Sequence, residues 1–193
     1  MGGQIAMEIS KEEASKSLEA IQATNELTRM TAARIGGPIL ITWGVIWVVG
    51  FAINQFLPAS AGLGWMILDL LGGIITWRIS VRMSAIKSRH DPRVFLFFLI
   101  LMVFGAVWAF LLSPFNARHF GAYIVTLFMF AYVVGGLWFG RFYIILGALV
   151  TLLVITGVFL AGSYESLWLG CAGGGSLIVS GLYIIYKGPR AGA

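Results

Sequence analysis

The chain has 193 residues, 59% of them hydrophobic and 11% charged, with a formal net charge of +5, and its mean hydropathy is +0.92. A water-soluble domain carries about 25% charged and about 45–50% apolar residues. This composition excludes one, because the excess would have to face water as large apolar patches, which soluble monomers avoid. The length suits a single domain.

Residues 1–36 form a polar N-terminal segment. The first 34 residues hold five glutamates and lack a basic stretch leading directly into an apolar core, so no signal peptide is expected. Residues 10–34 read as a helix. Ser10 with Glu13 makes a capping box, and Glu12 with Lys16 is an i,i+4 pair in the favourable order. Ala14, Leu18, Ile21, Asn25, Thr28 and Ala32 follow a heptad spacing, but only Leu18 and Ile21 are strong apolar residues. The seam is too weak for a stand-alone coiled coil. It suits either a helix lying along the inner face of a bundle or an arm that binds a partner. Gly36-Gly37 is expected to end this helix and Pro38 to open the next.

Residues 37–187 read as a transmembrane domain. A membrane helix needs about 20 mostly apolar residues. Six segments qualify or come close: 38–57, 61–79, 94–113, 118–139, 142–162 and 166–186. They are separated by "PASAGLG" at 58–64, "RMSAIKSRHDPR" at 82–93, "SPFNARH" at 113–119, "GR" at 140–141 and "GSYES" at 162–166. The expected fold class is an all-α integral membrane protein. Six helices are arranged as three hairpins behind a cytoplasmic N-terminal helix, and residues 188–193 make a short tail.

The bases set the orientation. With the N-terminus inside, twelve of the thirteen fall on the inner side: Lys11, Lys16, Arg29, Arg34, Arg78, Arg82, Lys87, Arg89, Arg93, Arg141, Lys187 and Arg190. Only Arg118 falls outside. This positive-inside bias places both termini in the cytoplasm. Arg78, Arg82, Lys87, Arg89, Arg93, Arg141 and Lys187 form a cytoplasmic basic rim around the helices. Bases spread in this way do not call for specific nucleic-acid binding.

A local pattern recurs at the inner ends of the even-numbered spans. "LLGGIITWR" at 70–78, "VVGGLWFGR" at 133–141 and "IVSGLYIIYK" at 178–187 each pass two small residues, then aromatics, then a base. In lipid, helices associate through close approach at small residues. Gly72, Gly73, Gly135, Gly136, Ser180 and Gly181 are therefore expected to be helix-packing positions. Trp77, Trp138 and Tyr183 suit the approach to the headgroups.

Chemistry is sparse. Asp69 is the one ionisable side chain well inside a predicted span, in the outer half of the second. An intramembrane carboxylate is a candidate functional residue by default. Asn54, Gln55 and Arg118 are candidate neighbours, and a structural hydrogen-bonding role competes with an ion or substrate role. His90 and His119 fall on opposite sides of the membrane, so no metal site is expected. "CAGGGS" at 171–176 lacks the G-K-[ST] ending of a phosphate loop and reads as helix packing. Cys171 reads as buried and inert. Trp43 and Trp47 share a helix face and read as packing, with a ligand-lining face as the alternative. No nucleophile elbow, zincin motif or paired carboxylate appears.

"SLEAIQATNELTRMTAARIGGPILITWGVIWVVGF" at 17–51, "GGLWFGRFYIILG" at 135–147 and "LWLGCAGGGSLIVSGLYI" at 167–184 resemble a family of small bacterial six-span membrane proteins of uncharacterised function. Members are often encoded beside winged-helix regulators. The resemblance implies a polar N-terminal helix, a Gly-Pro entry and a W-G-x-x-W first span in an inner-membrane protein. It implies no activity, catalytic residue or cofactor. Two functions of different class follow. One is a non-catalytic membrane component that senses or tethers a cytoplasmic partner, or pairs with a second copy. The other is a small transporter or channel with Asp69 in its path.

Overall fold

A computed structural model describes residues 15–23, 32–83, 92–111 and 117–187, and these are helical apart from short turns. Residues 15–23 form a helix with every side chain exposed. The rest of the expected 10–34 helix, including the Ser10–Glu13 box, lies outside the described residues up to Ala32.

The entry into the first long helix differs from expectation. A π-helical turn, Ala32–Gly36, runs straight into α1, Gly37–Phe56. Gly36 is right-handed helical (φ −64°, ψ −45°), so neither glycine caps a helix. Pro38 has no N–H to give to the carbonyl four residues back, and a wider π turn accommodates that loss. Gly37 instead serves close packing: a Cβ there would lie 3.0 Å from the carbonyl of Gly181.

Leu57 (φ −134°, ψ 56°) stops α1, and a 3-10 turn, Pro58–Ser60, leads into α2, Ala61–Met83. The two pack antiparallel. Trp43 Nε1 donates to Thr76 Oγ1 at 3.1 Å, and Trp65 Nε1 donates to Asn54 Oδ1 at 3.0 Å. Next come α3, Pro92–Leu111, and α4, Ala117–Phe139. Tyr123 OH reaches the Gly105 carbonyl at 2.6 Å, tying α3 to α4. Gly140 turns the chain into α5, Arg141–Leu160, with φ 115°, a conformation that favours glycine.

After a 3-10 turn at Gly162–Tyr164, the last helix is one rod in three parts: α6, Glu165–Leu169; a π-helical stretch, Gly170–Gly175; and α7, Ser176–Lys187. The rod crosses α1 antiparallel and almost backbone to backbone. A Cβ on Gly44 would lie 2.6 Å from the Gly174 carbonyl, and one on Gly181 would lie 2.6 Å from the Gly37 carbonyl.

The core sits where α1, α4, α5 and the rod meet. Val125, Met129, Val150, Val154, Leu169 and Leu177 are fully buried there, and Trp47 meets Phe128 edge-on at 5.7 Å. Trp43 packs at the edge of this core and Trp47 within it, so both act as packing residues. By contrast, α2 touches α1 and α3 touches α4, leaving most of each exposed. Leu63, Leu70, Trp77, Phe104, Trp108 and Phe110 all point away from the protein.

Five helices are long and apolar enough to cross a membrane: Arg34–Phe56, Pro58–Val81, His119–Leu137, Arg141–Leu160 and Gly162–Lys187. The apolar stretch Leu96–Leu111 is shorter within the described residues. With the outward apolar side chains, these make the chain a membrane protein. The strongest associations are α4 with α5 and α1 with the rod, whereas α5 and α7 barely touch. Cys171, expected to be buried, is exposed on the π-helical stretch.

Candidate functional site

A helical bundle has two ends, and this one differs in chemistry between them. At one end lie Arg34 before α1, Arg78 late in α2, Arg141 opening α5 and Lys187 closing α7, all exposed. Gly36 approaches Tyr143 OH there, and Gly37 meets Ile185, so Arg34, Arg141 and Lys187 share one level, while Arg78, two residues past Thr76, lies nearer the level of Trp43. Residues 84–91, with Lys87 and Arg89, lie outside the described residues, as do the side chains of Arg82 and Arg93.

The opposite end carries the amides and a carboxylate. Gln55 Nε2 donates to the carbonyl of Ser163 at 3.1 Å, linking the end of α1 to the turn before α6. Asn54 is engaged by Trp65. Glu165, in the first turn of α6, is only 4% exposed and is the one charged side chain in the core of the described residues. A buried carboxylate must be bonded or neutralised to be tolerated. The Cδ1 of Leu169, one turn on, would lie 3.1 Å from a Cβ on Gly121. Because α4 and α6 run in parallel, this contact sets the first turn of α4 level with Glu165.

The sequence places Glu165 in the link "GSYES" between the last two spans. Its signal was its isolation: it is the only acidic residue after Asp91. α6 nonetheless packs against α1, α4 and α5.

Asp69 lies elsewhere. It is exposed on α2, beside the face that meets α1. The structure does not bring it to Asn54 or Gln55, which bond to Trp65 and Ser163. The side chain of Arg118 is outside the described residues.

The small pairs divide. Gly72 abuts Ile46 and Trp43 of α1; Gly136 meets Ile144 of α5, whose N would be 2.7 Å from a Cβ; Gly181 meets α1. Ser180 is buried, and Gly135 is half-buried. A Cβ on Gly73 would meet nothing within 4 Å, so this position makes no packing contact among the described residues. The three similar stretches therefore serve different helix pairs. Among the described residues, no group of three or more His, Cys, Asp or Glu could hold a metal ion.

Compared with protein families, with curated proteins and with solved structures, the chain finds no match.

Proposed function

We propose that this chain is a six-span inner-membrane protein with both termini in the cytoplasm. In this reading it has no catalytic role and senses or tethers a cytoplasmic partner through its N-terminal segment. α3, twenty residues long from Pro92 to Leu111, supplies the sixth span. The basic end faces the cytoplasm, in keeping with the positive-inside bias. The resemblance to the small bacterial six-span family belongs to the same proposal.

The tethering role rests on one observation. Leu18 and Ile21, one turn apart on the 15–23 helix, are 58% and 57% exposed. The chain then enters α1 from the basic end. An amphipathic helix with uncovered i,i+3 anchors is a common way to engage a groove on another protein.

The test is a pull-down from mild detergent, with mass spectrometry of what stays bound to the wild type and to Leu18→Ser/Ile21→Ser. A soluble protein retained by the wild type and lost by the variant supports the tether. Equal recovery from both overturns it. Cysteine labelling tests the topology: position 60 should react from outside and position 86 from inside, and labelling of both from one side would refute it.

A further inference from the structure

The divergence of α5 from α7 leaves an apolar groove of about 650 Å³ on the flank of the bundle. Ile145, Leu149 and Leu153 of α5 form one wall, and Val179 and Trp168 of the rod form the other. The floor is low because Ala172 and Gly175 stand where larger side chains would fill it. Trp168 closes the far end by donating Nε1 to the Leu153 carbonyl at 2.7 Å.

Length and charge identify the occupant. From Phe142 to Leu153 the groove follows α5 for about 16 Å at 1.5 Å per residue, close to half of the ~30 Å hydrocarbon core. It therefore spans the depth of one leaflet. Its Phe142 end lies toward the basic end of the bundle. The Phe142 ring stacks on Tyr183 at 5.8 Å and 9°, and Lys187 Nζ sits 5.0 Å above the same Tyr183 ring. Arg141, next to Phe142, is exposed at the start of α5, where the helix dipole adds positive potential. Among the described residues of the bundle the acids are Asp69, on α2, and Glu165, at the opposite end, and neither of these offsets this charge.

We propose that the groove holds an acyl chain of an anionic phospholipid whose headgroup phosphate lies between Arg141 and Lys187. This rests on the membrane-spanning reading with the basic end at a headgroup layer. A neutral lipid could fill the groove but would gain nothing at its mouth. Tyr183 acts as a positioning residue, holding the ammonium of Lys187 beside the headgroup through a cation–π contact.

The test uses full-length protein, delipidated in mild detergent, with thermal unfolding and native mass spectrometry. The probes are phosphatidylglycerol, phosphatidylcholine with the same chains, and inorganic phosphate. Phosphatidylglycerol should raise the melting temperature by several degrees and persist as a bound adduct. The other two probes should do neither. Arg141→Gln/Lys187→Gln should reduce the preference for the anionic lipid about tenfold while the protein still folds. Gly175→Leu fills the floor at a position where a Cβ meets nothing within 4 Å, so it should fold and retain neither lipid.

Equal retention of both lipids by the wild type overturns the headgroup assignment. An equal shift with inorganic phosphate overturns the acyl chain. A dimer that Gly175→Leu converts to monomer makes the groove a protein interface and also overturns the proposal. If the protein needs detergent but binds no phosphatidylglycerol, the groove assignment fails and the spanning reading stands. If it is recovered without detergent, the spanning reading itself fails.

Discussion

Two helices flank α1 and are held to it by different means. The rod meets it through glycines on both sides, Gly37 against Gly181 and Gly44 against Gly174, so backbone lies on backbone. α2 meets it through indoles: Trp65 covers Gly50 and donates to Asn54, and Trp43 donates to Thr76. Lipid is as apolar as leucine, so neither pair gains from leaving its surroundings, and both depend on contact and hydrogen bonds. Glycine contact gives dense packing with no slack. Indole contact leaves side chains that can shift. The same contrast runs through the molecule, with a tight four-helix core and a loosely attached α2 and α3.

The sharpest way to break this comparison is to put a side chain into the tight crossing. Gly44→Leu or Gly174→Leu places atoms where a Cβ alone would be 2.6 Å or 2.5 Å from a backbone carbonyl. Overpacking at backbone should remove about 3 kcal/mol or more and much of the folded yield in detergent. Gly136→Leu should behave similarly against Ile144. Gly73→Leu, at an open position, should leave the melting temperature unchanged. Equal behaviour of Gly44→Leu and Gly73→Leu would remove the distinction between core and flank.

Next is the buried carboxylate at the end of the core opposite the bases. Glu165→Ala removes a charge held among α1, α4 and α5 and strands whatever bonds to it, at a cost of about 2–4 kcal/mol. Glu165→Gln keeps the shape and some hydrogen bonding and should lose less. Thermal unfolding of both variants separates a structural anchor from an idle residue: no loss in Glu165→Ala would show that the site does not tie the rod to the core. A smaller effect is expected on the indole side. Asn54→Leu deprives Trp65 Nε1 of its acceptor and should cost about 0.6–1 kcal/mol, without reducing folded yield.

How much of this was legible in the sequence follows from the same contrast. Span positions were readable because apolar runs of span length have few other uses in a chain this poor in charge. The partners of each span were not, because lipid-facing and core-facing leucines look alike. A signal was nonetheless present at the tight crossing. Gly37 and Gly44 are seven apart, as are Gly174 and Gly181, which places each pair on one helix face. Adjacent glycines such as Gly72-Gly73 attract the eye, but neighbours in sequence point to different sides of a helix, and only Gly72 is used. Cys171 and Glu165 show the same difficulty. An apolar neighbourhood suggests burial for a thiol that lines a groove, and the turn-like "GSYES" gives no sign that its carboxylate is buried.

Asp69 should give the smallest effect on stability. It sits eight residues into α2, about 12 Å along the helix from its start, and is exposed to whatever surrounds the bundle. A charged aspartate at the centre of a membrane helix is disfavoured by about 2.5–3.5 kcal/mol on insertion scales. Asp69→Asn removes that charge and keeps the shape, and no hydrogen bond to a described residue is lost. The melting temperature should therefore hold or rise, with a gain of up to about 1 kcal/mol. A fall would mean that the carboxylate binds something the isolated chain does not provide, and cross-linking from position 69 would then reveal whether that is a second copy. Flux in liposomes is the decisive companion measurement. The tethering reading expects no specific cation or proton flux from either protein. Robust flux in the wild type, lost in Asp69→Asn while the protein still folds, would replace the tether with a transporter.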